Sequence, residues 1–300
     1  MSTDTMVAPR SLGAGVRQVL GSSRPLSWVN TAYPFGAAYL LGGSGVDAVF
    51  WIGVVYFLVP YNLLMYGVND VFDYESDLRN PRKGGVEGLV LTDRWHSLVL
   101  ATAALANLPF VAVLVAAGTL RSTLVLVVVL FTVIAYSAPL LRFKERPLVD
   151  SLTSSSHFVG PALFGYVLVG GPFGTTAVAV FAAFFCWGVA SQAFGAVQDI
   201  SADVGAGIAS IATWLGGAAT VRFAVAAYTV SGVVLLAGTD WPGRLAGLLA
   251  VGYIANIAPY VSIADSDCET ANAGWRRFLL LNYVTGFLIT QLLLWTTLGR

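Results

Sequence analysis

Asn69, Asp70, Asp73 and Asp77 stand in the stretch "NDVFDYESD" with Asn69, Asp73 and Asp77 at i, i+4 and i+8, and Asp70 beside them. If a helix runs on past Asn69, one of its faces carries an amide and three carboxylates. Such a face repels itself: like charges at i, i+4 cost about 0.2–0.5 kcal/mol per pair in water, and more where a cavity lowers the dielectric. A divalent cation reverses that sign. Magnesium takes oxygen ligands, typically one or two carboxylates plus substrate phosphates, so the set suits a metal-bound phosphate ester. A solvated helix terminus is the plainer alternative, but acids directly behind an apolar helix favour the functional reading.

A second acidic pair strengthens it. In "SQAFGAVQDISADVG" Asp199 and Asp203 are again i, i+4, with Gln192 and Gly195 ahead of them on the same stripe at the end of an apolar helix. Two carboxylate faces that open on one side could hold two magnesium ions across one diphosphate. Between the two motifs lies "YSAPLLRFKERPLVD", which offers Tyr136, Arg142, Lys144 and Arg146. Arginine grips phosphate oxygens as a planar fork and lysine as a point charge. Arg82 and Lys83 could assist from just beyond the first motif, although every one of these cations also fits an ordinary basic loop.

The elements that position these residues follow from composition. The chain of 300 residues is 57% hydrophobic and 11% charged, which excludes a water-soluble domain and indicates an all-α polytopic membrane protein. Crossing roughly 30 Å of hydrocarbon takes about 20 apolar helical residues. Nine stretches qualify, near 27–45, 48–69, 96–117, 121–140, 154–171, 175–197, 219–238, 244–263 and 278–298, around a central cavity that opens to the cytoplasmic side. Short Gly/Pro joints leave room for one domain, 27–300, after a tail, 1–26, in which "LGAGVRQVL" is either loosely ordered or interfacial. No signal-peptide core is evident. With the N-terminus inside, thirteen of the 16 basic residues fall on the cytoplasmic side and Arg121, Arg244 and Arg300 outside, which gives a multi-pass cell-membrane protein with its C-terminus outside. Cys186 and Cys268 have no pairing or metal spacing, and no nucleic-acid partner is expected.

The motif set NDxxDxxxD at Asn69, Asp70, Asp73 and Asp77, DxxxD at Asp199 and Asp203, and "YSAPLLRFK" between them resembles the UbiA-type membrane prenyltransferases. The resemblance covers nearly the whole chain. It departs at Leu140, where many relatives have a second proline after Pro139, and this leaves the diphosphate ligands untouched. The stretches "RPLSWVNTAYPFGAAYLL" and "YGVNDVFDYESDLRNPRKGG" look most like the carotenoid branch, the lycopene elongases of actinobacteria.

The resemblance implies that Asp70, Asp73, Asp77, Asp199 and Asp203 hold two Mg2+ ions on the diphosphate of dimethylallyl diphosphate. Ionisation of the allylic carbon–oxygen bond then gives a cation that the end of lycopene attacks. Another lipophilic acceptor, such as a quinone precursor, would leave the donor motif looking the same. A transporter lined by intramembrane acids is a third reading, disfavoured because the acids gather at one face. Membrane lipid surrounds the chain, and a separate carotenoid cyclase partner is plausible. Trp28, Tyr61, Tyr66, Phe158, Trp187 and Phe194 are aromatic candidates for facing the cation. Asn62 and Gln192 either line the cavity or bond between helices, and Asn256 and Asn282 are expected to serve helix packing. His157, expected to open its helix, could accept the terminating proton or be structural, while His96 reads as structural.

Overall fold

The computed structural model describes residues 12–74, 78 and 91–298. No strand occurs among the described residues, as expected where hydrocarbon leaves the backbone only its own chain to bond to. In chain order the helices are α1 (Leu12–Ser22), α2 (Val29–Leu41), α3 (Ala48–Leu58), α4 (Pro60–Phe72), α5 (His96–Ala117), α6 (Leu120–Ser137), α7 (Val149–Leu168), α8 (Thr175–Val197), α9 (Ile200–Ala206), α10 (Ile211–Leu215), α11 (Gly217–Gly238), α12 (Leu245–Leu248), α13 (Ala250–Ile257) and α14 (Asn272–Leu298). Local chemistry sets several boundaries. Asp47 accepts from Phe50 N at 2.7 Å to start α3, and Thr119 with Ser122 forms a reciprocal cap on α6.

Six stretches among the described residues are long and apolar enough to cross a membrane: Ala48–Phe72, Asp93–Ala117, Leu120–Ser137, Thr175–Val197, Gly217–Gly238 and Asp265–Thr296. The sequence suggested three more. Of these, 27–45 contains the 13-residue α2, too short to span alone. The region 154–171 belongs to α7, which starts earlier and carries Asp150, Thr153, three successive serines and His157 in its first half. The region 244–263 is broken into α12, α13 and a 3-10 turn at Ala258–Tyr260. These three pieces pack among the long helices. Burial of 14 of its 20 residues puts α7 at the centre, against α2, α6 and α8. The stretch read as a loose or interfacial tail forms α1, which packs on α4 and α5 through Gly15 against Trp95 and Leu98.

The first span is bent where Pro60, with no N–H to give, separates α3 from α4. The Asn62 amide makes up the deficit, donating to Phe57 O at 2.7 Å, Leu58 O at 3.1 Å and Thr31 Oγ1 at 2.7 Å. Two aromatic-rich cores result. Phe35, Phe57, Tyr61 and Phe164 knit α2, α3, α4 and α7, while Phe194, Tyr228, Tyr253 and Phe278 knit α8, α11, α13 and α14. Glycines permit the close approach: a Cβ at Gly53 would overlap the Phe35 ring, and one at Gly188 would overlap Ser155.

Candidate active site

The acidic motifs sit at helix ends because the chain breaks there. α4 stops at Phe72, with Asp73 as its C-cap, so the expected continuous face through Asp77 is interrupted. Asp77, Arg82 and Lys83 lie outside the described residues. At the second motif α8 stops at Val197 and α9 begins after Asp199. The pair therefore belongs to a new short helix, but Asp203 N still bonds to Asp199 O at 2.8 Å and the i, i+4 register is kept.

Both motifs line one end of the same cavity, which has a volume of about 2500 Å3. Asn69, Asp73, Tyr136, Lys144, Gln192, Asp199 and Asp203 all contribute to its wall. Lys144, in the 3-10 turn Phe143–Glu145, forms an ion pair with Asp73 and is also within electrostatic reach of Asp203. Burial pushes its ammonium down to about 8, against the upward pull of Glu145 and Asp203. One cation thus links the two carboxylate motifs. Asn69 is oriented by Ser137, whose hydroxyl donates to Asn69 Oδ1 at 2.8 Å, and Gln192 Oε1 accepts from Ser154 Oγ at 2.9 Å.

Three expected residues are placed differently. Asp70 is fully buried and forms an ion pair with Arg24 Nη2 at 3.0 Å. Its charge is met by Arg24, which does line the cavity, so Asp70 itself stands behind the wall. Arg142 turns to Glu145 and is not among the lining residues, because its left-handed backbone at φ 39° directs the chain into the turn that presents Lys144. Asn62, fully buried at the α3–α4 break, belongs to helix packing rather than to a substrate contact. Among the aromatic candidates, Tyr66, Phe158 and Trp187 line the cavity. Tyr61 instead donates to His157 O at 3.0 Å, Trp28 donates to Ser23, and Phe194 packs in the second core. His157 lies in the third turn of α7 with Nε2 3.2 Å from Thr132 O. His96 bonds to Leu91 O at 3.0 Å, and Asn256 donates to Gly274 O at 2.9 Å.

Two charged residues that bear directly on the aspartate motifs escaped the sequence reading. Arg24 comes from the α1–α2 joint, where its guanidinium lies 4.4 Å over the Tyr66 ring; its partner is 46 positions away, so no local pattern reveals it. Asp150 accepts from Ile211 N at 2.8 Å and Ser151 N at 2.7 Å, fixing the start of α10 beside Ser210, which bonds Asp203 at 3.3 Å. Its position in the first turn of a helix was the available signal.

The donors at this end are carboxylate and amide oxygens, which fit a hard cation such as Mg2+. No cluster of three or more His, Cys, Asp or Glu side chains able to hold a metal unaided occurs among the described residues. Such a set would hold a metal jointly with ligand phosphates, each ion taking only one or two protein carboxylates.

Comparison with known proteins supplies a family and a fold. The model of the UbiA prenyltransferase family matches residues 31–290. The C(50) beta-cyclic carotenoids biosynthesis protein LbtBC of Dietzia sp. is 53% identical over 92% of this chain, which spans 64% of that protein's length. A lycopene elongase/hydratase of Corynebacterium glutamicum is 50% identical over 93% of this chain and 97% of its own. A UbiA homolog from Archaeoglobus fulgidus, solved with GPP and Mg2+ and with DMAPP and Mg2+, superposes with TM-scores of 0.64 and 0.63. It covers 89% of this chain and 99% or 98% of its own, at 17% identity, a likeness that speaks for the fold.

Proposed function

Because the chain belongs to the UbiA prenyltransferase family of multi-pass membrane proteins, we propose that it transfers a dimethylallyl group from dimethylallyl diphosphate to the ends of lycopene, releasing diphosphate. The observation that carries the reading is a single cavity in which both aspartate motifs and Lys144 form one end and apolar helix faces form the rest. The Corynebacterium relative, matched over nearly its whole length, bears the name lycopene elongase/hydratase. The structure of the Archaeoglobus homolog holds DMAPP and Mg2+.

Asp73, Asp199 and Asp203, together with Asp77 beyond the described residues, are the residues that would hold two Mg2+ ions against the diphosphate, while Asp70, enclosed behind Arg24, would fix that guanidinium in place. Bound metal would supply charge neutralisation on the departing diphosphate. Lys144 is released from Asp73 to donate to diphosphate oxygens, and Arg24 adds fixed positive charge at the rim. Asn69, held by Ser137, orients the same group. The allylic carbon–oxygen bond breaks with its electron pair leaving on oxygen. The π pair of the terminal lycopene double bond then forms the new carbon–carbon bond, and the positive charge moves to a tertiary carbon. That cation either loses a proton to give an alkene or captures water and sheds a proton to give an alcohol. Tyr66, Phe158 and Trp187 face the cationic centre with π electrons that do not bond to it covalently, and the apolar wall keeps bulk water from the first cation.

The finer topology belongs to the same proposal: nine membrane-traversing segments including α2, α7 and α12–α13, one domain from residue 27 onward, the aspartate end of the cavity facing the cytoplasm, and the termini inside and outside the cell membrane respectively. A carotenoid cyclase would act on the product; the name of the longer Dietzia relative refers to cyclic carotenoids. The test is expression in a bacterium that accumulates lycopene, with mass measurement of extracted carotenoids beside Asp73→Asn. A gain of one or two five-carbon units, absent from the variant, is expected. Unchanged lycopene with diphosphate still released on other acceptors would discard lycopene and leave the transferase.

A further inference from the structure

The cavity continues well beyond the diphosphate end. α8 lines it from Thr175 and Thr176 at one terminus to Ala196 at the other, and at 1.5 Å per residue its 23 residues span roughly 34 Å. α2 lines it from Val29 to Leu41 and α14 from Trp275 to Thr296. The passage is therefore about as long as the hydrocarbon core, roughly 30 Å, and accommodates a rod-shaped polyene lengthwise.

Its far end is chemically distinct from its middle. Thr239, Asp240 and Trp241, in the joint after α11, line it together with Thr296 of α14 and the two threonines that open α8. Thr239 is nearly buried and its Oγ1 donates to Leu235 O at 2.6 Å, while Thr296 Oγ1 donates to Leu293 O at 2.9 Å. A threonine hydroxyl has one proton and two lone pairs. With the proton committed to the helix backbone, each of these cavity-lining residues has only acceptor capacity left to offer a ligand, as has the Asp240 carboxylate. This end is suited to receive an O–H donor.

We propose that the far end is a second acceptor subsite, which seats the polyene terminus that is not reacting and accepts a hydrogen bond from that terminus once it has become an alcohol. The inference rests on the reading of lycopene as acceptor. A two-ended acceptor must reverse between transfers, so an unmodified apolar terminus lies here during the first transfer and the hydrated terminus during the second. Hydroxyl acceptors at this end therefore act on the second transfer.

Membranes containing the full chain, supplied with Mg2+, dimethylallyl diphosphate and lycopene, test this by the masses of the products. In the near-isosteric double variant Thr239→Val/Thr296→Val, the ratio of singly to doubly prenylated product rises about tenfold, the scale for losing an ordinary neutral hydrogen bond. An unchanged ratio, or equal loss of both transfers, overturns the proposal. Thr176→Trp, which fills the far end, abolishes turnover of lycopene while a truncated polyene with one acyclic terminus is still prenylated; equal effects on the two acceptors overturn it as well. Failure of the unaltered protein to consume lycopene would instead refute the acceptor reading, and the subsite with it.

Discussion

The Arg24–Asp70 pair marks the difference between two motif aspartates, Asp70 and Asp73, that the sequence treats alike but the fold separates. Asp73 faces the cavity, whereas Asp70 is fully enclosed, so a guanidinium must come to it. That Arg24 adopts a left-handed backbone at φ 50° to do so is consistent with a conformation held by its surroundings. Removing one partner of a buried pair leaves an uncompensated charge and costs about 3 kcal/mol. Arg24→Met should accordingly lower the thermal midpoint markedly, and adding Asp70→Asn should restore most of it while prenyl transfer stays lost. Restored transfer in the double variant would limit the pair to a structural role. Lys144 is different, since its partner Asp73 is itself a metal ligand candidate. Lys144→Met should reduce kcat about a hundredfold, the scale of losing one preorganised donor to developing negative charge, and Lys144→Arg should recover part of it; equal rates for Met and Arg would show that charge at this position is immaterial. Motif spacing was enough to nominate Asp73, Asp199, Asp203 and Lys144. Arg24 was beyond it, because a contact across 46 residues leaves no local periodicity.

At the level of elements, hydropathy located the six long spans because each is a nearly uninterrupted apolar helix. It was less informative for the pieces enclosed by them. α7 carries a polar run that the protein interior satisfies through contacts such as Ser155 Oγ to Phe185 O at 2.8 Å and Ser154 to Gln192, so its sequence need not match lipid. The helix breaks after Phe72 and Val197 were likewise hidden, since nothing in an i, i+4 acid pattern shows where a helix stops. Asn62 illustrates the consequence. Its position about two turns before the first motif suggested a cavity polar group, but its amide serves the carbonyls at the Pro60 break. Asn62→Leu should therefore destabilise the protein by about 1–3 kcal/mol by stripping Leu58 O of this donor and leaving Phe57 O only Thr31 Oγ1, read as a lower thermal midpoint in detergent, with the KM for dimethylallyl diphosphate unchanged. A raised KM at unchanged stability would return Asn62 to the binding site.

For the whole molecule, the diphosphate and the polyene impose opposite demands on one cavity, and the distribution of charge along the chain answers both. A diphosphate is confined to the aqueous compartment that contains it, so the aspartate end must open there, while the polyene occupies the length of the bilayer. The loop that presents Lys144 is also basic at Arg142 and Arg146, whereas the joint at the opposite end of the cavity carries Asp240 and Arg244. The excess of basic residues near the aspartate end is the charge pattern of a cytoplasmic face and supports the orientation we propose. In a variant with Cys186 and Cys268 replaced by alanine, a cysteine at Asp240, which is exposed, should react with a membrane-impermeant maleimide in intact cells. A cysteine at exposed Arg146 should react only after the cells are opened. The reverse pattern would place the aspartate motifs outside, where the donor would have to be supplied externally, and would require that intact cells consume added dimethylallyl diphosphate.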